Sequence, residues 1–206
     1  HSLFLRHGLL TTKLVIYGFI AGSIPGVVLG YLIANFRLCE RLLYPLVVFI
    51  QGLPKITLAP LMLVWFGFDD FPKILLTSLI TFFPVLVDSV SGFKSVDYRH
   101  YYLSRSTGAS WWHTFRLIQL PSAAPNIFSG LKITIVIAVT VVIVVEWLNS
   151  NSGLGYVVLR AMDGNDTPLV FATLVVASTI GVFLNYCVIV LEKFFLPWRQ
   201  VKDEDK

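Results

Sequence analysis

The chain has 206 residues, of which 56% are hydrophobic and 14% charged, with a net charge of +4. Its mean hydropathy of +0.76 is too high for a soluble domain, so lipid is the expected solvent. The positive charge needs no nucleic acid as partner, because basic loops are an ordinary result of membrane topology and no aromatic-basic interleaving resembles a groove for bases.

Apolar runs near the roughly 20 residues needed to cross a hydrocarbon core of about 30 Å fall at Leu14 to Ile33, Leu42 to Trp65, Ile74 to Val90, Ile127 to Trp147 and Leu169 to Leu191. These runs are continuously apolar, whereas barrel strands alternate, so the expected fold is an all-α polytopic bundle with five visible spans. The whole chain, 1–206, reads as one transmembrane domain, with no internal repeat, low-complexity tract or linker.

Arg6 and Lys13 ahead of the first run resemble the start of a signal peptide. That run, however, continues past Gly30 to Ile33 with no convincing cleavage site after a short apolar core. Lys and Arg favour the cytoplasmic side. Arg37, Arg41, Lys94, Arg99, Arg105, Arg116, Lys193, Arg199, Lys202 and Lys206 fall on one side of the weave, and Arg6, Lys13, Lys73 and Arg160 on the other. The expected C-terminus is therefore cytoplasmic and the visible N-terminus outside, which fits a six-helix parent with one helix ahead of His1.

Cys39 and Cys187 are far apart and lack CxxC or His-rich spacing, so no metal site is expected. Three ionisable residues fall inside the runs, where a charge near the helix centre costs roughly 2.5 to 3.5 kcal/mol on insertion scales. Lys55 follows Gln51, Gly52 and Pro54, where the helix should be irregular. It is a candidate to hold an anion, or else a snorkelling lysine or a carboxylate's partner. Glu146 closes an apolar run and is a candidate for gating or for capping the outer loop. Asp88 lies toward the cytoplasmic end of its span and has the same two readings, pathway or structure. Trp65, Trp147 and Trp198 sit where interfacial anchors are expected. His100 and His113 lack metal-ligand spacing and read as loop residues.

The one long polar stretch, 93–126, contains YYLSRSTGASWWHTFRLIQLP from Tyr101 to Pro121. Gly108 permits a sharp turn between two short helical pieces. Beyond it Trp111, Phe115 and Ile118 recur at helical spacing as an apolar stripe, with Trp112 beside them and His113 and Arg116 elsewhere on the turn. Leu120-Pro121 is expected to stop that helix.

Gly108, Ile118, Leu120 and Pro121 match the G-x9-I-x-LP half of a signature loop, and the sequence thereby resembles the permease subunits of ATP-binding-cassette importers. The resemblance is greatest to the nitrate, sulfonate and taurine class. Supporting pieces are LMLVWFG from Leu61, RSTGAS from Arg105, VEWL from Val145 and SGLGY from Ser152. Where family members usually carry Glu-Ala-Ala before the glycine, this chain has Tyr102, Leu103 and Ser104. An acidic contact to the ATPase is therefore expected to be replaced by packing or another polar group.

The resemblance implies a second permease copy, a cytoplasmic ATPase dimer seated on the 93–126 coupling loop, and an extracytoplasmic solute-binding protein. The coupling residues it implies are Tyr102, Arg105, Gly108, Ala109, Trp111, Trp112, Ile118, Leu120 and Pro121. It also implies a bacterial plasma-membrane location and a small, anionic or polar solute. Neither catalytic residues nor a cofactor are expected in this chain: it lacks a G-x4-GK[ST] phosphate loop, so ATP and Mg²⁺ belong to the partner. The rival reading is a secondary transporter with Asp88, Glu146 and Lys55 as a proton or ion relay, but such a carrier has no need of the Gly108 to Pro121 loop. A membrane enzyme would require a cluster of acidic, His or Cys residues at one membrane face, which the sequence lacks.

Overall fold

The structure, a computed structural model, describes residues 2–97, 99, 104, 106–149 and 151–197. Its long helices are α1 (Ser2–Asn35), α4 (Asp70–Lys94), α6 (Leu120–Asn149) and α8 (Thr167–Phe195). Shorter ones are α2 (Arg37–Gln51), α3 (Ala59–Phe66), α5 (Trp111–Thr114) and α7 (Leu154–Asp163). No strand occurs among the described residues.

Four helices are long and apolar enough to cross a membrane, and a bent pair brings the number to five if it counts as one span. That pair covers the run Leu42 to Trp65, and the irregularity expected near Lys55 is a full break. Arg37–Gln51 and Lys55–Phe66 meet at 79°. Gly52 and Pro54 interrupt the ladder, and a 3₁₀ turn at Lys55–Leu58 redirects the chain into α3. Helix α1 also begins well ahead of Leu14, because Thr11, His7 and other polar residues are built into its first turns rather than lying before it.

The structure corrects the expectation at Leu120-Pro121, which does not end the helix. Helical structure runs on from Trp111 to Leu148. Proline lacks the N–H that an α-helix would pair four residues back. The turn before it, Phe115–Gln119, is π-helical, with the Leu120 N–H donating to the Phe115 carbonyl five residues earlier. The ladder has thus changed register before the missing donor is reached. Between α4 and the continuous helix that starts at Trp111 lies the stretch 95–110.

Helix α4 packs between α1 and α6. Against α1 the approach is close because Gly18, Gly22, Gly26 and Gly30 recur every fourth residue and face Thr77, Thr81 and Ser89. A Cβ on Gly22 would collide with the Thr81 hydroxyl and the Ser78 carbonyl, and one on Gly26 would lie 2.9 Å from the Phe82 carbonyl. In lipid, where burial of apolar area gives little drive between helices, such close backbone contact supplies the attraction. On the other flank, Leu14 and Val15 of α1, Ile135, Ala138, Val139 and Val142 of α6, and Leu184 and Val188 of α8 form one buried cluster. Large apolar side chains such as Val28, Phe183 and Phe194 are exposed. Such a surface suits acyl chains rather than water.

Candidate functional site

At the end of the bundle where α6 stops, Glu146 is fully buried. The Thr11 hydroxyl lies 2.9 Å from both of its carboxylate oxygens and donates to them, and the Gly155 N–H donates to Oε2 at 3.0 Å. Thr11 Oγ1 in turn accepts from the Leu154 N–H at 2.9 Å, and the Gly153 N–H donates to His7 Nδ1 at 3.0 Å. The SGLGY segment therefore folds over Glu146 and satisfies it from the backbone. Gly153 has φ +100°, and a Cβ there would strike the carboxylate. Both conformation and space demand glycine at this position. The segment leads directly into α7, so the carboxylate also fixes where α7 lies. Lys73, on α4, is buried and paired with Asp70 at 3.0 Å.

The other two intramembrane candidates stand apart from Glu146. Lys55 Nζ donates to the carbonyls of Ile50 at 3.3 Å and Gln51 at 2.8 Å, and lies 4.9 Å from the Phe83 ring centroid. Its ammonium thus closes the open end of α2 at the bend. Asp88 is half-buried and its carboxylate abuts Gly130, where a Cβ would fall 2.8 Å from the Asp88 Cβ. Lys55, Asp88 and Glu146 share no partner in these contacts.

Sequence reasoning missed a further intramembrane pair. Lys132 on α6 and Glu192 on α8 form an ion pair at 2.8 Å, with side chains 26% and 11% exposed. The signal was a lone lysine in an otherwise apolar run, but its partner lies 60 residues away, just past the end of the last run at Leu191.

At the opposite end of α6 lies the turn. Gly108 has φ +70°, with no atom within 4 Å of where a Cβ would project. Ser110 caps α5, its Oγ accepting from the His113 N–H. Trp111 and Trp112 are 63% and 55% exposed, and Trp111 stacks on Phe115 at 5.9 Å. Phe115 meets Tyr31 of α1 edge-on at 5.1 Å, joining this aromatic surface to the bundle. Ala109 is exposed, while Ile118 and Pro121 are half-buried and Leu120 is 39% exposed. Tyr102 and Arg105 lie outside the described residues, as do His100 and Trp198.

A cavity of about 540 Å³ opens between α6, α7 and α8, bordered by Trp147, Met162 and Asn185.

A bundle of membrane-length helices, with a broken pair among them, defines a polytopic membrane protein. The chain belongs to the family of binding-protein-dependent transport system inner membrane components, whose model matches residues 26–200. It is 36% identical over 199 residues to the formylaminopyrimidine transport permease protein ThiX of Halalkalibacterium halodurans, covering 97% of this chain and 80% of that one. Identity is 32% over 182 residues to a putative aliphatic sulfonates transport permease protein, SsuC, of Bacillus subtilis, covering 88% of this chain and 66% of that one. With the riboflavin transport system permease protein RibX of Chloroflexus aurantiacus it is 31% over 194 residues, 94% of this chain and 72% of that one. Among solved structures, a chain of the MetNI methionine ABC transporter in inward-facing conformations shares the fold, with a TM-score of 0.75 at 17% identity and 95% of each chain covered.

Proposed function

We infer that this chain forms the translocation pathway of an ATP-driven importer, working beside a second permease copy. The observation that carries the reading is the exposed Trp111-Trp112 surface held beyond Gly108 and anchored through Phe115 to Tyr31. Large aromatic faces left uncovered at the end of a membrane helix suit a protein partner. The 95–110 connection and α5 are the docking element for a cytoplasmic ATPase that supplies ATP and Mg²⁺. Closure of the ATPase pair displaces that element as a rigid body, and the continuous helix from Trp111 to Leu148 carries the motion to the Glu146 end. In this topology the C-terminus is cytoplasmic and α7 faces an extracytoplasmic binding protein.

The solute is small and polar, in keeping with relatives named for a formylaminopyrimidine, aliphatic sulfonates and riboflavin. A proton or ion relay has less support, since Glu146 is satisfied by Thr11 and Gly155 and Lys55 by α2 carbonyls. The test is co-purification: a cognate ATP-binding-cassette ATPase co-expressed with this chain should be retained by the parent in detergent and lost from a Trp111→Ala, Trp112→Ala double variant of equal membrane abundance. Full retention by the double variant would refute docking on this surface.

A further inference from the structure

We propose that Asp88, on the floor of a groove between α2 and α6, is a solute subsite that takes a cationic nitrogen, so that solutes carrying a protonated amine are preferred over neutral or anionic ones. This rests on the transport reading above and narrows its solute class.

The groove follows from how α4 is flanked. On one side Val47 of α2 packs with Phe83, Leu86 and Val90 of α4. On the other, α4 and α6 approach backbone to backbone: a Cβ on Gly92 would lie 2.8 Å from the Ala123 carbonyl, and one on Gly130 would lie 2.5 Å from Asp88 Oδ2. The carboxylate therefore lies across the α6 backbone, six residues, or about 9 Å, before α4 ends at Lys94. Ser91 follows one turn on along the same face of α4. On α6, Ser129 adjoins Gly130 and Asn126 lies one turn before it, its Cβ 3.1 Å from where one on Gly92 would sit.

These polar groups are reachable and unmet. Ser91 and Ser129 are exposed, and Asp88 and Asn126 are half-buried. None of the four side chains has a hydrogen-bond or ion-pair partner among the described residues. By contrast, Glu146 has Thr11 and Gly155, Lys132 has Glu192, and Lys73 has Asp70. A carboxylate at this depth cannot be satisfied by acyl chains, so its face of the subunit must meet water or a ligand.

The cations on the packed elements are engaged elsewhere. Lys55 closes the end of α2, Lys94 holds Glu40 at 2.6 Å, and Arg37 and Arg41 also lie toward Glu40. The charge that Asp88 lacks must therefore come from outside the chain. An anion would meet like charge here, and a neutral hydroxyl would supply a single donor. A protonated amine supplies both the countercharge and several N–H donors, enough for the carboxylate and for Asn126 Oδ1 or a serine oxygen beside it.

The test uses the full importer complex in lipid nanodiscs and saturation-transfer NMR, with benzylamine, benzyl alcohol and benzenesulfonate as one ring carrying three charges. Benzylamine should give a saturable signal above that of empty nanodiscs, benzyl alcohol a weaker one, and benzenesulfonate none. Asp88→Asn keeps the shape and removes the charge. It should weaken benzylamine binding roughly ten- to a hundredfold, the loss of a hydrogen bond to a charged group, and Asn126→Ala should weaken it less.

No saturable signal from benzylamine, equal or tighter binding of benzenesulfonate, or benzylamine binding unchanged in Asp88→Asn would overturn the subsite. A parent complex blind to benzylamine, with the second permease copy lost from Asp88→Asn, would overturn it in favour of a carboxylate paired across the dimer. If Asp88→Asn does not assemble, the order of the three ligands on the parent decides. ATP hydrolysis stimulated by the binding protein is measured on the same parent sample. An active complex that ignores benzylamine refutes the subsite alone, and a complex inactive toward ATP refutes the transport reading.

Discussion

The Thr11 hydroxyl reaches the Glu146 carboxylate at 2.9 Å across 135 positions of sequence, and the same hydroxyl oxygen accepts the Leu154 N–H. One small side chain on α1 thereby ties the end of α6 to the start of α7. The carboxylate is fully buried, so its value lies in what it satisfies rather than in its charge.

Removing that acceptor should loosen this end of the protein. Glu146→Leu leaves the Thr11 hydroxyl and the Gly155 N–H unpaired, an expected loss of about 2–3 kcal/mol, while Glu146→Gln keeps an acceptor and should lose less. Gly153→Ala should resemble Glu146→Leu, since its Cβ meets the carboxylate at a positive φ. Thermal unfolding in detergent ranks the three. A Glu146→Leu protein as stable as the parent would show that the latch contributes nothing.

The Lys132 to Glu192 pair predicts a smaller effect for the double change than for the single ones. Glu192→Leu leaves the Lys132 ammonium without this carboxylate, at up to roughly 2.5 to 3.5 kcal/mol on insertion scales, and Lys132→Leu removes one contact of Glu192 at a smaller cost. Replacing both with Leu removes the unpaired charge, so the double variant should recover most of the abundance that either single loses. Quantitative membrane immunoblots of all four proteins decide it. A double variant less abundant than both singles would be incompatible with a pairing role.

On the α1 face, Gly22→Leu should separate α1 from α4, because even a Cβ there collides with Thr81 and the Ser78 carbonyl. Membrane abundance and resistance to protease should fall together. A change at the lipid-facing Val28, 55% exposed, such as Val28→Leu, should be neutral. Equal behaviour of the two would argue against close α1 to α4 packing.

Most of the helical plan was legible in the sequence because lipid imposes long uninterrupted apolar runs, and four runs match long helices. The break near Lys55 was marked by Gly52 and Pro54, though not its 79° consequence. Pro121 misled because a π-helical register shift, which no composition announces, lets the helix pass through it. Glu146 stood out as a charge in an apolar run, but its partners Thr11 and Gly155 lie on other elements. The four-residue spacing of Gly18 to Gly30 was visible in principle, yet it reads as a helix face only once α4 is known to lie against it. Lys132 escaped for the same reason, since an ion pair needs two runs to be placed side by side.

At the turn, Gly108→Asp should impair transmission while leaving the protein inserted. A side chain in the left-handed region costs about 1–2 kcal/mol of backbone strain, and a carboxylate in a docked surface must also be desolvated. Trp112→Ala removes apolar contact only and should weaken assembly less. Basal ATP hydrolysis with uptake lost is the expected signature of Gly108→Asp. Parental uptake at normal abundance would make the turn a passive connection.

The central claim is that partner-driven ATP hydrolysis moves solute through this chain. It is tested most directly in vesicles holding the reconstituted permease and its ATPase, supplied with the binding protein loaded with whatever solute it retains on purification. Uptake should require both ATP and the binding protein and should survive collapse of the proton gradient. Uptake that proceeds without ATP and stops when the gradient is dissipated would contradict the account.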